Sequence, residues 1–265
     1  MDTSNNLYVA DQGNSRVLFF ATGQSSGSAV ASRVYGQNSG YGTGTSNLGG
    51  TTSANTLSAP YAIALDSSNN LYVADGSMYN RRRPSRHDTS VSAALLRRSH
   101  LTAARVLCVT LLRVGNNRIL FFTSGSNTAT AVYGQSSWSG SGSAVGATGL
   151  STPTGITLDA AGNLYVADFY NYRVLVFPTG GVSSNVAQAA GTTASNVYGQ
   201  ADFNSNAPNR GGSTPSAIGM VQPEGVAVDA SGNVYVADVY NNRVPFFPAG
   251  QALGAQAATR VYGQF

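Results

Sequence analysis

Apolar residues along this chain come in short, nearly continuous runs of four to six, separated by polar turns rich in Gly, Asn and Ser. Residues 153–200 show the arrangement most clearly. A β-branched run, Pro153–Asp159, leads into a turn Ala160-Ala-Gly-Asn163 and a second run Leu164-Tyr-Val-Ala-Asp168. A second turn, Phe169–Tyr172, leads into Arg173-Val-Leu-Val-Phe177, which Pro178 and Gly180 close. A polar linker then precedes Asn196-Val-Tyr-Gly-Gln200. Runs of this length predict strands, and continuity without alternation predicts strands covered on both faces. Four strands joined by tight turns make a meander that cannot bury its two faces alone, so several must stack.

The same succession recurs along the chain, which fixes the architecture before any single residue does. Asp159–Val174 is repeated as Asp229–Val244, as Asp2–Val17 and, interrupted, from Asp66. Equivalent Asp residues are spaced by 64, 93 and 70 positions. The expectation is an all-β propeller of about four blades, at about 1–37, 60–135, 153–200 and 223–264, in one domain spanning 1–265. Met1 stands just before the first repeat's Asp, so the first blade reads as lacking its opening strand. That open edge invites self-association, since an unpaired strand is a template for another. Pro245 stands where the other units have Leu18, Leu120 and Leu175, and removes a donor from its ladder.

The second blade is broken in the middle. Asp is followed by Arg five positions later in three units (Asp11/Arg16, Asp168/Arg173, Asp238/Arg243), but Asp75 and Arg118 are 43 apart, so 38 residues are extra. The segment 76–114 holds both His, the single Cys108 and eight of the fifteen Arg, and a helix is expected over 90–112. The net charge of +4 belongs to this segment, because the remainder carries seven Arg against ten acids. Two readings stand: a basic projection for an acidic partner such as RNA, or translated intron or out-of-frame sequence. One cysteine permits no intrachain disulfide, no apolar run is long enough for a transmembrane helix, and no signal peptide is visible. The compartment stays open.

The pattern Pro-x-Gly-[Ile/Val]-Ala-Val-Asp, Gly-Asn-[Leu/Val]-Tyr-Val-Ala-Asp, Asn-x-Arg-Val resembles NHL repeats, strongly in the last two units, clearly in the first, and interrupted in the second. The resemblance implies a β-propeller, commonly six-bladed, that serves as a platform for protein or RNA. About four units with long linkers depart from that pattern and imply a fragment or an open assembly.

No catalytic set is expected. A site is needed once, whereas the Asp/Arg pairs recur in every blade, which points to a structural corner. No blade holds a His, and no nucleophile-base pair, metal spacing or phosphate loop can be assembled, so no cofactor or metal is expected. Glu224 is the only Glu, with Tyr61 and Thr154 as its equivalents, and is the one acid suited to a metal-dependent propeller enzyme of hydrolase or lyase type. Ligand contacts are expected from the unrepeated turn residues Gln12, Phe169, Tyr170, Tyr172, Val239 and Tyr240, and from Trp138, which could equally anchor its linker. The resulting expectation is a binding scaffold for protein or glycan. A truncated enzyme is the alternative, and RNA binding through 76–114 the weaker one.

Overall fold

A computed structural model describes residues 1–24, 29–37, 40–42, 44–76, 115–178 and 189–263. The described residues form four sheets with no α-helix, arranged as successive propeller blades and not closed on themselves. The expected helix over 90–112 lies outside the described residues.

The first sheet contains β1 (Leu7–Asp11), β2 (Arg16–Phe20) and β3 (Arg33–Tyr35). The second contains β4 (Pro60–Leu65), β5 (Leu71–Asp75), β6 (Arg118–Phe122) and β7 (Ala131–Tyr133). The third follows with β8 (Pro153–Leu158), β9 (Leu164–Asp168) and β10 (Arg173–Phe177), then β11 (Ala189–Thr192) and β12 (Asn196–Tyr198). The fourth is β13 (Pro223–Val228), β14 (Val234–Asp238), β15 (Val244–Phe247) and β16 (Arg260–Tyr262). Strands within each blade are antiparallel in one register, with Leu7↔Phe20, Leu71↔Phe122 and Leu164↔Phe177 as matching pairs. The exception is β11. It leaves the third blade's own linker and pairs in parallel with β7, giving the second sheet a fifth strand. The sequence reads this stretch as polar linker, because Ala-Ala-Gly-Thr carries no apolar run to announce a strand.

Two polar devices are repeated with the strands. The Asp that opens each first hairpin clasps the Asn four positions on: Asp159 Oδ1 accepts the Asn163 N–H at 2.8 Å, and Oδ2 accepts its side-chain amide at 2.8 Å. Asp2/Asn6, Asp66/Asn70 and Asp229/Asn233 do the same. The residue before that Asn has positive φ, supplied by Gly162 and Gly232 or by Asn5 and Asn69, the residue types that tolerate it. The Gln of Val-Tyr-Gly-Gln is the second device. Gln37, Gln135 and Gln200 each donate from Nε2 to two carbonyls, one of the turn before their blade's third strand and one of the following linker.

The core lies between blades. Tyr8, Val17 and Tyr35 of the first pack on Leu71, Val73, Leu120 and Phe122 of the second. Tyr72, Ile119, Phe121 and Tyr133 meet Leu164, Val166, Leu175 and Phe177. Tyr165, Val174, Val176 and Tyr198 meet Val234, Val236 and Phe247. Pro245 has the expected effect. Asp238 and Arg243 exchange both backbone bonds, which makes Val236 and Pro245 the next bonded pair, and there the ladder is interrupted.

Candidate functional site

Each inner strand begins opposite the Asp that ends the second strand: Pro60↔Asp75, Pro153↔Asp168 and Pro223↔Asp238. The turns between second and third strands, the linkers between blades and the first residues of the inner strands therefore share one face of the molecule. The Asp/Arg pairs build that face. Arg173 Nε donates to Asp168 Oδ2 at 2.8 Å, and both side chains are fully buried. The same carboxylate accepts the Asn171 amide at 2.8 Å and the Ser151 N–H at 2.6 Å. The rest of the guanidinium reaches linker carbonyls on both sides: Gly146 and Gly149 before the blade, Phe203 after it. Arg118 likewise bonds Asp75, Thr56 O and Trp138 O, and Arg243 bonds Asp238, Ser216 O and Gly219 O. In the first blade Asp11 and Arg16 pair at 2.7 Å but remain partly exposed, and Arg16 bonds Tyr41 O. Each pair thus fastens linkers to a blade corner, a role for the Arg that sequence reasoning had only half described.

The second blade keeps its corner across the interruption. Asp75 stands opposite Arg118, and Asn116 donates to the Asp75 carboxylate at 2.7 Å. Gly76 and Gly115 therefore both lie at this face. Residues 77–114, with their Arg cluster, are outside the described residues.

On this framework the proposed contact residues separate. Short 3-10 turns span Gln12–Asn14, Phe169–Asn171 and Val239–Asn241. The residue that follows each turn, Ser15, Tyr172 or Asn242, adopts left-handed backbone to redirect the chain. Tyr170, Val239 and Tyr240 are exposed (37%, 45% and 57%), and Ile218 in the adjoining linker is exposed as well. Gln12 is exposed, and Tyr172 is half-buried. Phe169 is buried and carries Tyr170 edge-on, ring centres 4.9 Å apart. It supports Tyr170 and does not itself present a surface, which corrects its place among the exposed aromatics. Trp138 is half-buried and packs on the core between the first two blades, as an anchor for its linker.

Glu224 has a partner that the sequence does not reveal. The Tyr61 hydroxyl donates to Glu224 Oε1, joining the second and fourth blades past the inner strand of the third. Thr154, the equivalent position between them, is buried and donates to Ala167 O or Pro223 O. The only signal was that both residues occupy one repeat position. Burial first, and then the Glu224 carboxylate, push the Tyr61 phenol up to about 12 from an ordinary 10.0. The sign follows from linkage: the phenol keeps its proton longer in the folded chain, so its contribution to stability is complete below pH 10 and is lost as pH rises toward 12. Glu224→Gln should lower the Tyr61 titration midpoint while leaving it above 10, because burial remains. Ultraviolet difference titration against Tyr61→Phe in each background reads this; an unchanged midpoint would show that the carboxylate exerts no influence on the phenol. Among the described residues no cluster of three or more His, Cys, Asp and Glu surrounds Glu224 or any other point.

Compared with protein-family models, the sequence matches the NHL repeat over residues 150–177 and 220–244. No curated protein matches it. Among solved structures, it is similar to a candidate 6-phosphogluconolactonase of Bacteroides uniformis, at 10% identity and a TM-score of 0.51, over 97% of this chain and 51% of that one. A protein of Lactobacillus plantarum aligns at 11% identity and TM-score 0.50, over 100% and 55% of the two chains. The virginiamycin B lyase of Staphylococcus aureus aligns at 12% identity and TM-score 0.47, over 98% and 54%. This chain spans about half the length of these three solved structures. At such identities the likeness shows the fold alone.

Proposed function

We propose that this NHL-repeat propeller is a binding platform whose turn face takes a protein ligand, with Tyr170, Val239 and Tyr240 as its principal contacts. The observation that supports this is the exposure of Tyr170 and Tyr240 on turns whose backbone is held by buried Asp/Arg corners. A tyrosine offers large contact area for few rotatable bonds, and a rigid turn removes most of the ordering cost of binding. Tyr170 and Tyr240 share one repeat position, which is Gly13 in the first blade, so the turn itself does not demand an aromatic there.

The test is selection of ligands from a displayed peptide library and from a glycan array, followed by the variant Tyr170→Ser/Tyr240→Ser. Selected peptides should lose at least about tenfold in affinity, roughly 1.4 kcal/mol, with the melting temperature unchanged. Glycans selected in place of peptides would change the ligand class. Ligands indifferent to the variant would move the site elsewhere. The enzymatic alternative gains from turnover that requires Glu224 or an added divalent metal. RNA binding requires a steep loss of affinity with salt that disappears on deleting 76–114.

A further inference from the structure

The turn between second and third strands has a fixed anatomy. In the first, third and fourth blades four residues lie between the Asp and the Arg, at 12–15, 169–172 and 239–242. The third of the four is Asn, whose side-chain amide donates to the Asp carboxylate at 2.7–3.0 Å (Asn14, Asn171, Asn241). The fourth takes left-handed backbone, and its N–H returns to the carbonyl of the first at 3.1–3.4 Å.

In the second blade Gly76, Gly115, Asn116 and Asn117 fill these four places, although 38 residues separate the first from the second. Asn116 donates to Asp75 Oδ2 at 2.7 Å, and it meets Asn47 of the preceding linker as Asn241 meets Asn209. Asn117 has a φ of 49°, in the left-handed region with Ser15, Tyr172 and Asn242. Arg118 pairs with Asp75 at 3.1 Å, and both side chains are fully buried. The Asn116 N–H donates to the Asp75 carbonyl at 3.0 Å. A bond from residue i+3 to residue i closes a 3-10 turn; here it is made between residues 41 apart. Both sides of the joint belong to the packed fold. Gly76 is buried, and a Cβ on it would meet Pro153 O of the third blade at 2.1 Å. Gly115 is buried as well. Asn117 donates to Ser141 O and accepts the Thr152 N–H, each at 2.8 Å.

We infer that the second blade's turn is complete without residues 77–114, so that a chain in which Gly76 is joined directly to Gly115 forms the same blades and presents the same binding face. The joined segment, Asp-Gly-Gly-Asn-Asn-Arg, restores the spacing of five and sets the Asn117 N–H against the Gly76 carbonyl, as Ser15 is set against Gln12. The insertion falls at one peptide bond, between the first and second places of the turn, and every residue that the corner uses lies outside it. Gly13, Tyr170 and Tyr240 hold the second place in the other blades. Gly115 holds it here, so the second blade, like the first, offers bare backbone to a ligand, and the aromatic contacts are confined to the third and fourth. The cost of closing a loop rises only with the logarithm of its length, so the full chain tolerates the addition. The face has this meaning only if the turns bind as proposed; the blades form either way.

Thermal unfolding of three chains tests this. Removal of 77–114 should give a cooperative transition at or above that of the full chain, by up to about 8 °C, because a shorter loop is closed. Removal of 79–116 is equally long and keeps the spacing of five, but puts Met78 where Asn116 stood. That chain should melt at least about 4 °C below the 77–114 deletion, because the buried Asp75 carboxylate loses its amide donor. Peptides selected on the full chain should bind the 77–114 deletion within about twofold and still lose affinity on Tyr170→Ser/Tyr240→Ser. A 77–114 deletion that lacks a cooperative transition or melts below the full chain, or two deletions that melt alike, would overturn the inference. So would peptides that bind the full chain but not the folded deletion, since their contact would then lie in the removed residues. A library that yields no peptide at all ends the turn-face reading, and the melting comparison alone then decides whether the turn is complete.

Discussion

Arg173→Met is expected to destabilise the chain by about 3–5 kcal/mol, the range for stripping the partner from a buried charge. The guanidinium is fully buried against Asp168, and it is also the donor to three linker carbonyls. Its removal leaves those carbonyls and one carboxylate oxygen short of a partner. Burial already raises the Asp168 carboxyl above its ordinary value, with Arg173 opposing, followed by Ser151 and Asn171. Without the cation it rises further. A carboxyl whose folded value is raised favours the folded state at low pH and loses that advantage as pH rises through the folded value. The defect should therefore be largest at neutral pH and shrink as the solution is acidified toward 3.8, the ordinary value. Urea unfolding at several pH values measures it. Arg16→Met is the comparison: that pair is 18% and 22% exposed, and its loss should cost less than about 1 kcal/mol. Equal costs at both corners would mean that burial is not what gives the pair its strength.

Phe177→Ala should cost about 3–5 kcal/mol, as deletion of a buried aromatic generally does. Phe177 is 1% exposed, lies at the end of β10, and receives Tyr133 from the preceding blade. The loss comprises apolar area returned to water and a cavity that rigid flanking strands cannot close. A double-mutant cycle with Tyr133→Ala should show about 0.5–1.5 kcal/mol of coupling for the ring pair. Phe20→Ala, the same position in the first blade, should cost clearly less, because Phe20 is half-buried and no blade among the described residues packs on it. If Phe20→Ala proves as damaging at low concentration, something other than interblade packing fixes the value of this position.

The strands were legible because each is a short apolar run bounded by residues that punctuate a chain. Leu164–Asp168 and Arg173–Phe177 are strands with those limits. The Asp/Arg corner was legible because a fixed spacing of five recurs across three units, and tertiary packing restores the pair in the second across 38 extra residues. The clasp between Asp159 and Asn163 was visible in every unit yet unread, since a four-residue spacing inside a turn has many structural solutions. β11 was invisible, because its pairing comes from a neighbouring blade's free edge and not from its own residues.

The candidate site divides along the same line. The repeat located the turns that follow each strand-ending Asp, and with them the position shared by Tyr170 and Tyr240. Only the tertiary structure decided that Phe169 turns inward, because adjacent positions in a 3-10 turn point in different directions and burial depends on what packs beneath. It alone joined Tyr61 to Glu224, 163 residues apart, because stacking inner strands side by side brings equal repeat positions together. A repeat sequence specifies each blade from within; how its two faces are covered is set by whichever neighbour stands beside it, and that is a property of the assembled structure.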